Sequence, residues 1–145
     1  MDIYSLLRQE HQRIRELFDR IEALQVGAEE RASLFKQLAR ELRAHKEAEA
    51  STFYAALGNL PELSERVEEA IEEHVDIEEL LDELATVEYD SPPFIAQLSE
   101  LKEEFDHHTG EEEGEIFRRA QQLLTQEQAD RLGADMEAEK TRLTT

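Results

Sequence analysis

Apolar side chains return every three or four residues along most of this chain, the spacing that builds one face of an α-helix. Ile3, Leu6, Leu7, Ile14, Leu17, Phe18 and Ile21 form one such stripe and predict a first helix over about 2–24, with Gly27 as its stop signal. Leu34, Phe35, Leu38, Leu42, His45, Glu49 and Phe53 mark a second over about 28–57, ended by Gly58, Asn59 and Pro61. Val67, Ile71, His74, Ile77, Leu81 and Leu84 mark a third over about 62–86. Residues 89–93 interrupt the pattern, because paired prolines cannot continue a helix. A fourth helix, about 93–124, carries Leu98, Leu101, Phe105, His108, Glu112 and Ile116. Thr125 and Gln128 have capping-box spacing and open a short fifth helix to about residue 143. Short links make neighbours antiparallel. The prediction is therefore all-α: an up-down-up-down antiparallel four-helix bundle (about 2–124) with a short C-terminal fifth helix (about 125–143), in one domain over 1–145.

Composition agrees with long helices and narrows the partners. Charged residues make up 36% and Gly plus Pro only eight of 145 positions, a bias that favours helix over sheet. The net charge of −20 repels nucleic acid and anionic membranes, so neither is an expected partner. With no cysteine, disulfides, thiolate metal sites and cysteine nucleophiles are excluded. MDIYSLLRQEHQ lacks the apolar run of a signal peptide, and no stretch approaches a transmembrane span. The expected location is the cytoplasm.

The chain also repeats itself. His11, His45 and Glu49 recur 63 positions later as His74, His108 and Glu112, with no gap. HQRIRELF aligns with HVDIEELL, and HKEAEASTFY with HTGEEEGEIF. A duplicated helix pair places equivalent side chains opposite one another across an approximate two-fold axis. Counting about 1.5 Å per residue from each turn puts the four histidines in one layer.

That layer has metal-ligand chemistry. His and Glu at i and i+4 share a helix face, so His45-x3-Glu49 and His108-x3-Glu112 each aim an imidazole and a carboxylate at one point. This donor set suits Fe, Mn, Zn or Cu better than Ca or Mg, and each glutamate can bridge two metals. A lone histidine on an apolar face is ordinarily a core residue. Here four of five histidines sit one per helix, with two glutamates in register, and burying those carboxylates without a cation costs several kcal/mol each, roughly. A ferritin-like site needs repeated Glu-x-x-His, which occurs once, at Glu104-x-x-His107. Other residues have plainer readings. Glu111, Glu113 and Glu115 read as a solvated face, and Tyr54 as a packing or surface residue with a position near the metals as its alternative. Gly110 and Gly114 are either tolerated or mark a local bulge. Leu7, Leu38, Leu42, Ile77, Leu101 and Phe105 are core and would form dry walls around the layer.

With His11, His45-x3-Glu49, Glu73-His74 followed by Ile77 and Glu78, and His107-His108-x3-Glu112-Glu113, the chain resembles the hemerythrin-like family, the HHE cation-binding domain, up to about residue 124. The resemblance implies a four-helix bundle holding two iron ions, oxo- or hydroxo- and carboxylate-bridged. His11 and His45 would serve one iron, His74 and His108 the other, with Glu49 and Glu112 bridging. Glu78 stands where oxygen carriers place a further histidine, which disfavours reversible oxygen carriage and makes Glu78 an additional candidate ligand. His107, five residues before Glu112, is another; the repeat favours His108. The implied function is a di-iron protein that binds or senses oxygen or redox state, or handles iron. The alternative is a catalase/peroxidase-like or nitric oxide-linked oxidoreductase. Either would take dioxygen, peroxide or nitric oxide, and any protein partner is unknown. A metal-free structural bundle is the third possibility, and the repeat argues against it.

Overall fold

The computed structural model describes residues 1–24 and 28–145. Helix α1 spans Ile3–Ala23, α2 Ala28–Glu49, α3 Ser64–Leu84, α4 Pro92–Glu111 and α5 Gln126–Thr144. A π-helical turn, Ala50–Tyr54, carries α2 on to Ala55–Gly58, and a second, Glu112–Ile116, carries α4 on to Phe117–Leu123. Among the described residues there is no strand. The helical bundle with a further C-terminal helix is the architecture the periodicity predicts. The stop assigned to Gly27 lies outside the described residues.

Local signals explain the ends. Asp2 caps α1, its carboxylate accepting from Ser5 N–H at 2.9 Å. The paired prolines begin α4 instead of preceding it: both occupy its first turn, where a missing N–H leaves no bond unmade. The Thr125–Gln128 capping box forms reciprocally, at 3.1 and 2.8 Å.

The apolar stripes bury into two clusters. One gathers Ile3, Leu7, Phe53, Tyr54, Leu57, Phe117 and Met136; the other gathers Ile14, Phe18, Leu38, Leu81, Phe94, Leu98 and Phe105. On all four bundle helices the gap between clusters falls at the predicted histidine, so a polar layer divides the core. Ile71, expected on the inner stripe, is 43% exposed because Ala70 takes the inward position on α3. α5 packs along α1 and α2, whereas α2 and α3 approach each other only sparsely.

The two π turns adjoin the two glutamates of the repeat. Each wide turn rotates the helix that follows it, and such turns recur at functional sites. Close packing against a missing side chain does not explain them. The turn in α2 contains no glycine, and a Cβ at Gly110 or Gly114 would meet nothing within 4 Å. Gly133 is different. A Cβ there would lie 2.3 Å from Met1 O and 3.0 Å from Asp2 C, so α5 reaches the N-terminal backbone only because this side chain is absent. Gly133→Val should cost about 1–3 kcal/mol, read as a lowered urea midpoint, with Gly110→Ala as the neutral or stabilising control.

Candidate metal centre

Where the repeat gathers its residues, α1–α4 each contribute one imidazole to the dividing layer. His11, His45, His74 and His108 are all buried, and Glu49 and Glu112 are fully so. His11 Nε2 lies 3.2 Å from Glu112 Oε1, and its repeat counterpart, His74 Nε2, lies 3.0 Å from Glu49 Oε1. His45 Nε2 and Glu49 are 3.9 Å apart; His108 Nε2 and Glu112 are 3.8 Å apart. The rings pair likewise, His11 with His45 at 4.9 Å and His74 with His108 at 4.6 Å between centroids. The approximate two-fold is thus present in atoms as well as in sequence.

The donor atoms fit a cation. Ligand atoms of His11, His45 and Glu49 lie within 4.8 Å of one another, as do those of Glu49, His74 and His108, so one carboxylate belongs to both groups. His11 Nε2, both Glu49 oxygens and Glu112 Oε1 are buried with no hydrogen-bond partner. Orphaned lone pairs of this kind are expensive unless something electropositive sits among them.

The profile of the Hemerythrin HHE cation binding domain matches residues 2–120. The chain belongs to that family. A crystal structure of a Hemerythrin HHE cation binding domain-containing protein from Mycobacterium kansasii is similar to it, with a TM-score of 0.87 and 26% identity, covering 99% of this chain and 88% of that one. A DNA nickase from Nostoc sp. is 22% identical over 143 residues, 99% of this chain. The chain spans only 40% of that relative's length.

Around the HHE layer lies a set of outer contacts that the sequence reading passes over. His11 Nδ1 donates to Glu113 at 2.9 Å, His45 Nδ1 to Glu10 at 2.8 Å and His108 Nδ1 to Glu73 at 3.0 Å. A carboxylate can only accept, so in the neutral form of each ring Nδ1 carries the proton and the Nε2 lone pair faces inward. Each carboxylate has its own cation: Arg15 lies 3.4 Å from Glu113, Lys140 3.2 Å from Glu10 and Arg66 3.8 Å from Glu73. Glu113 is therefore not part of a solvated face; Glu111 and Glu115 are, both pairing with Arg66. Glu10 and Glu73 stand 63 positions apart, so the repeat already held them. Lys140 is visible as the one charged member of the buried stripe Ala129, Gly133, Met136, Lys140 on α5. Lys140→Met should strand Glu10 and Glu41, 3.2 and 3.1 Å from its ammonium. The expected cost is about 2 kcal/mol or more in the metal-free protein, measured by chemical denaturation.

The two additional candidates do not join the cluster. Glu78 is held outside it by Arg43 at 3.2 Å and Lys46 at 2.9 Å. The His107 side chain is 63% exposed, turned outward toward Glu111 at 3.3 Å. Tyr54, by contrast, is buried beside the layer. Its hydroxyl donates to Glu112 and lies 3.3 Å from His108 Nε2.

Burial and close neighbours set the electrostatics of these groups. Burial, reinforced by the facing Glu112, pushes Glu49 well above the usual carboxylate range. Burial acts the same way on Glu112, but contact with His11 and the charges of His11 and His108 outweigh it and hold Glu112 low. Burial and then His108 push His74 well below its ordinary value, and burial lowers His45. His11 is raised: burial opposes protonation, but Glu112 and Glu113 prevail. Tyr54 is pushed well up by burial, Glu112 and Glu49, so its phenol stays a donor. Among the described residues no helix is long and apolar enough to cross a membrane.

Proposed function

We propose that this protein binds two iron ions in a non-haem, carboxylate-bridged centre and uses them in oxygen or redox sensing, oxygen binding or iron handling. His11 and His45 would hold one ion and His74 and His108 the other, with Glu49 and Glu112 shared. The observation that carries the reading is that Glu49 belongs to both donor groups, with His74 Nε2 at 3.0 Å, while neither of its buried oxygens has a hydrogen-bond partner. Imidazole with carboxylate is a donor set for iron. Iron bound there would supply a reversible one-electron couple and affinity for small diatomic ligands. The protein's own part is to fix His45, His108 and His11 through Glu10, Glu73 and Glu113 and to exclude bulk water with Leu42, Ile77 and Phe105. The nicking activity named for the Nostoc relative is not carried over, since a chain of net charge −20 repels a phosphate backbone.

A second reading, turnover of peroxide or nitric oxide, is favoured by Tyr54, a protonated phenol at the layer able to supply a hydrogen bond or a proton. Metal analysis with absorption spectra of protein purified with and without air separates the readings. About two irons per chain, with a charge-transfer band that returns after deoxygenation, are expected for the first. Rapid peroxide consumption, lost in His74→Ala and Tyr54→Phe, would replace it with the second. A chain that takes up no metal overturns both.

A further inference from the structure

The internal two-fold breaks on the outer side of His74. Under the 63-residue shift Glu113 corresponds to Ala50, so the carboxylate that anchors His11 has no counterpart for His74. The surroundings change with it. Over His11 the surface is polar and filled: Arg8 lies 3.7 Å from Glu113, and Arg15 reaches both Thr109, at 3.0 Å, and Glu113. The corresponding patch over His74 is a depression of about 250 Å³, floored by His74 and walled by Ala50, Ile71 and Val75. Where one half has Arg8 and Gln12, the other has Ile71 and Val75, which are 43% and 50% exposed. Lys46 forms the rim, tied by Glu78 across the sparse α2–α3 seam. Beneath it, with Lys46 and His74 as shared walls, a crevice of about 10 Å³ runs between Leu42, Ile77 and Phe105 to His45 and His108. That is room for one water-sized molecule.

We propose that this seam is the doorway and holding site for a small neutral molecule bound for the centre, and that the equivalent seam over His11 is sealed. The inference rests on the metal reading above. An apolar vestibule on a strongly acidic protein favours neutral diatomic molecules over anions. The missing anchor lets the His74 ring yield at the one place where a guest must pass, while the other three imidazoles are held.

Repeat-matched substitutions supply the test. Val75→Phe fills the vestibule, and Gln12→Phe adds the same bulk at the equivalent site over His11. Both positions are exposed, so folding is not at stake. In reduced, iron-loaded protein, stopped-flow binding of nitric oxide should slow roughly tenfold in Val75→Phe and stay at the wild-type rate in Gln12→Phe. In metal-free protein, dissolved xenon should shift the methyl resonances of Ala50, Ile71 and Val75, and Val75→Phe should abolish those shifts. Iron content is measured alongside. Wild type without iron defeats the metal reading, leaving xenon to decide the vestibule. Iron present with an unchanged nitric oxide rate in Val75→Phe, equal slowing in Gln12→Phe, or no xenon shifts at these methyls overturns the doorway.

Discussion

Glu49→Gln should empty both halves of the centre together. Glu49 is the carboxylate common to both donor groups, and neither of its oxygens has a hydrogen-bond partner to compensate for the change. An amide keeps the shape but offers one weak oxygen and a nitrogen with no free lone pair. Removing an outer partner of a ligand already costs about ten- to a hundredfold in affinity, so loss of a shared ligand should exceed about a hundredfold. Iron should fall from about two per chain toward none, while helix content by circular dichroism stays the same. His11→Ala, by comparison, removes a donor from one group only and should leave one ion more firmly held than the other. Two irons retained in Glu49→Gln would show that the carboxylate is not shared.

The metal-free and metal-loaded proteins should respond to pH with opposite sign. In the metal-free fold Glu49 is raised well above 4.5 and His11 above 6.5. Both then hold protons that the unfolded chain has released, so stability declines as pH climbs, by at most about 1.4 kcal/mol per unit for each proton. His45 and His74 are displaced downward, so their contribution grows with pH but is complete near their unfolded value of 6.5. Above about pH 7 the rise is over, and the decline continues until the folded values of Glu49 and His11 are passed. A bound cation needs bare ligands and displaces those protons, so the loaded protein should hold or gain stability over the same interval. Urea midpoints from pH 7 to 9, with chelator and with iron, measure this directly. Glu49→Met should make the metal-free protein about 1–3 kcal/mol more stable at pH 8, because it removes a fully buried carboxyl group whose oxygens have no hydrogen-bond partner. A flat metal-free profile would mean that Glu49 is ionised in the fold and its burial easily tolerated.

Periodicity carries the helices because burial of one face is a one-dimensional constraint; α1, α3 and α5 fall within a few residues of their expected ends. The repeat carries the inner six for a similar reason: a duplicated helix pair must superpose on itself, which fixes His11 opposite His74 and Glu49 opposite Glu112. Contacts between helices without a repeat relation escape such reasoning. Glu113 looks like one member of an acidic run, and only the rotation of α4 against α1 brings it to His11. The π turn in α2 is silent in the sequence, since a one-residue shift of the stripe hides within its mixed three- and four-residue spacing, whereas the turn after α4 falls where Gly114 admits a local bulge. Tyr54 is open to two placements in the sequence because its position depends on the turn that contains it. Ile71 departs from the expected stripe because the inner face of α3 runs through a small residue, Ala70, and leaves the large one outside.

The family profile ends at residue 120, yet a side chain at position 140 stands two contacts from an imidazole of the centre, through Glu10 to His45. The fifth helix is in that sense a brace on the ligand shell as well as a cover for the core. Positions 10 and 140 should consequently be inherited as a couple: relatives without the fifth helix, or with an uncharged residue in its fourth turn, should also have lost the acid that precedes the first histidine. Where that acid survives alone, some other cation must have been recruited to it.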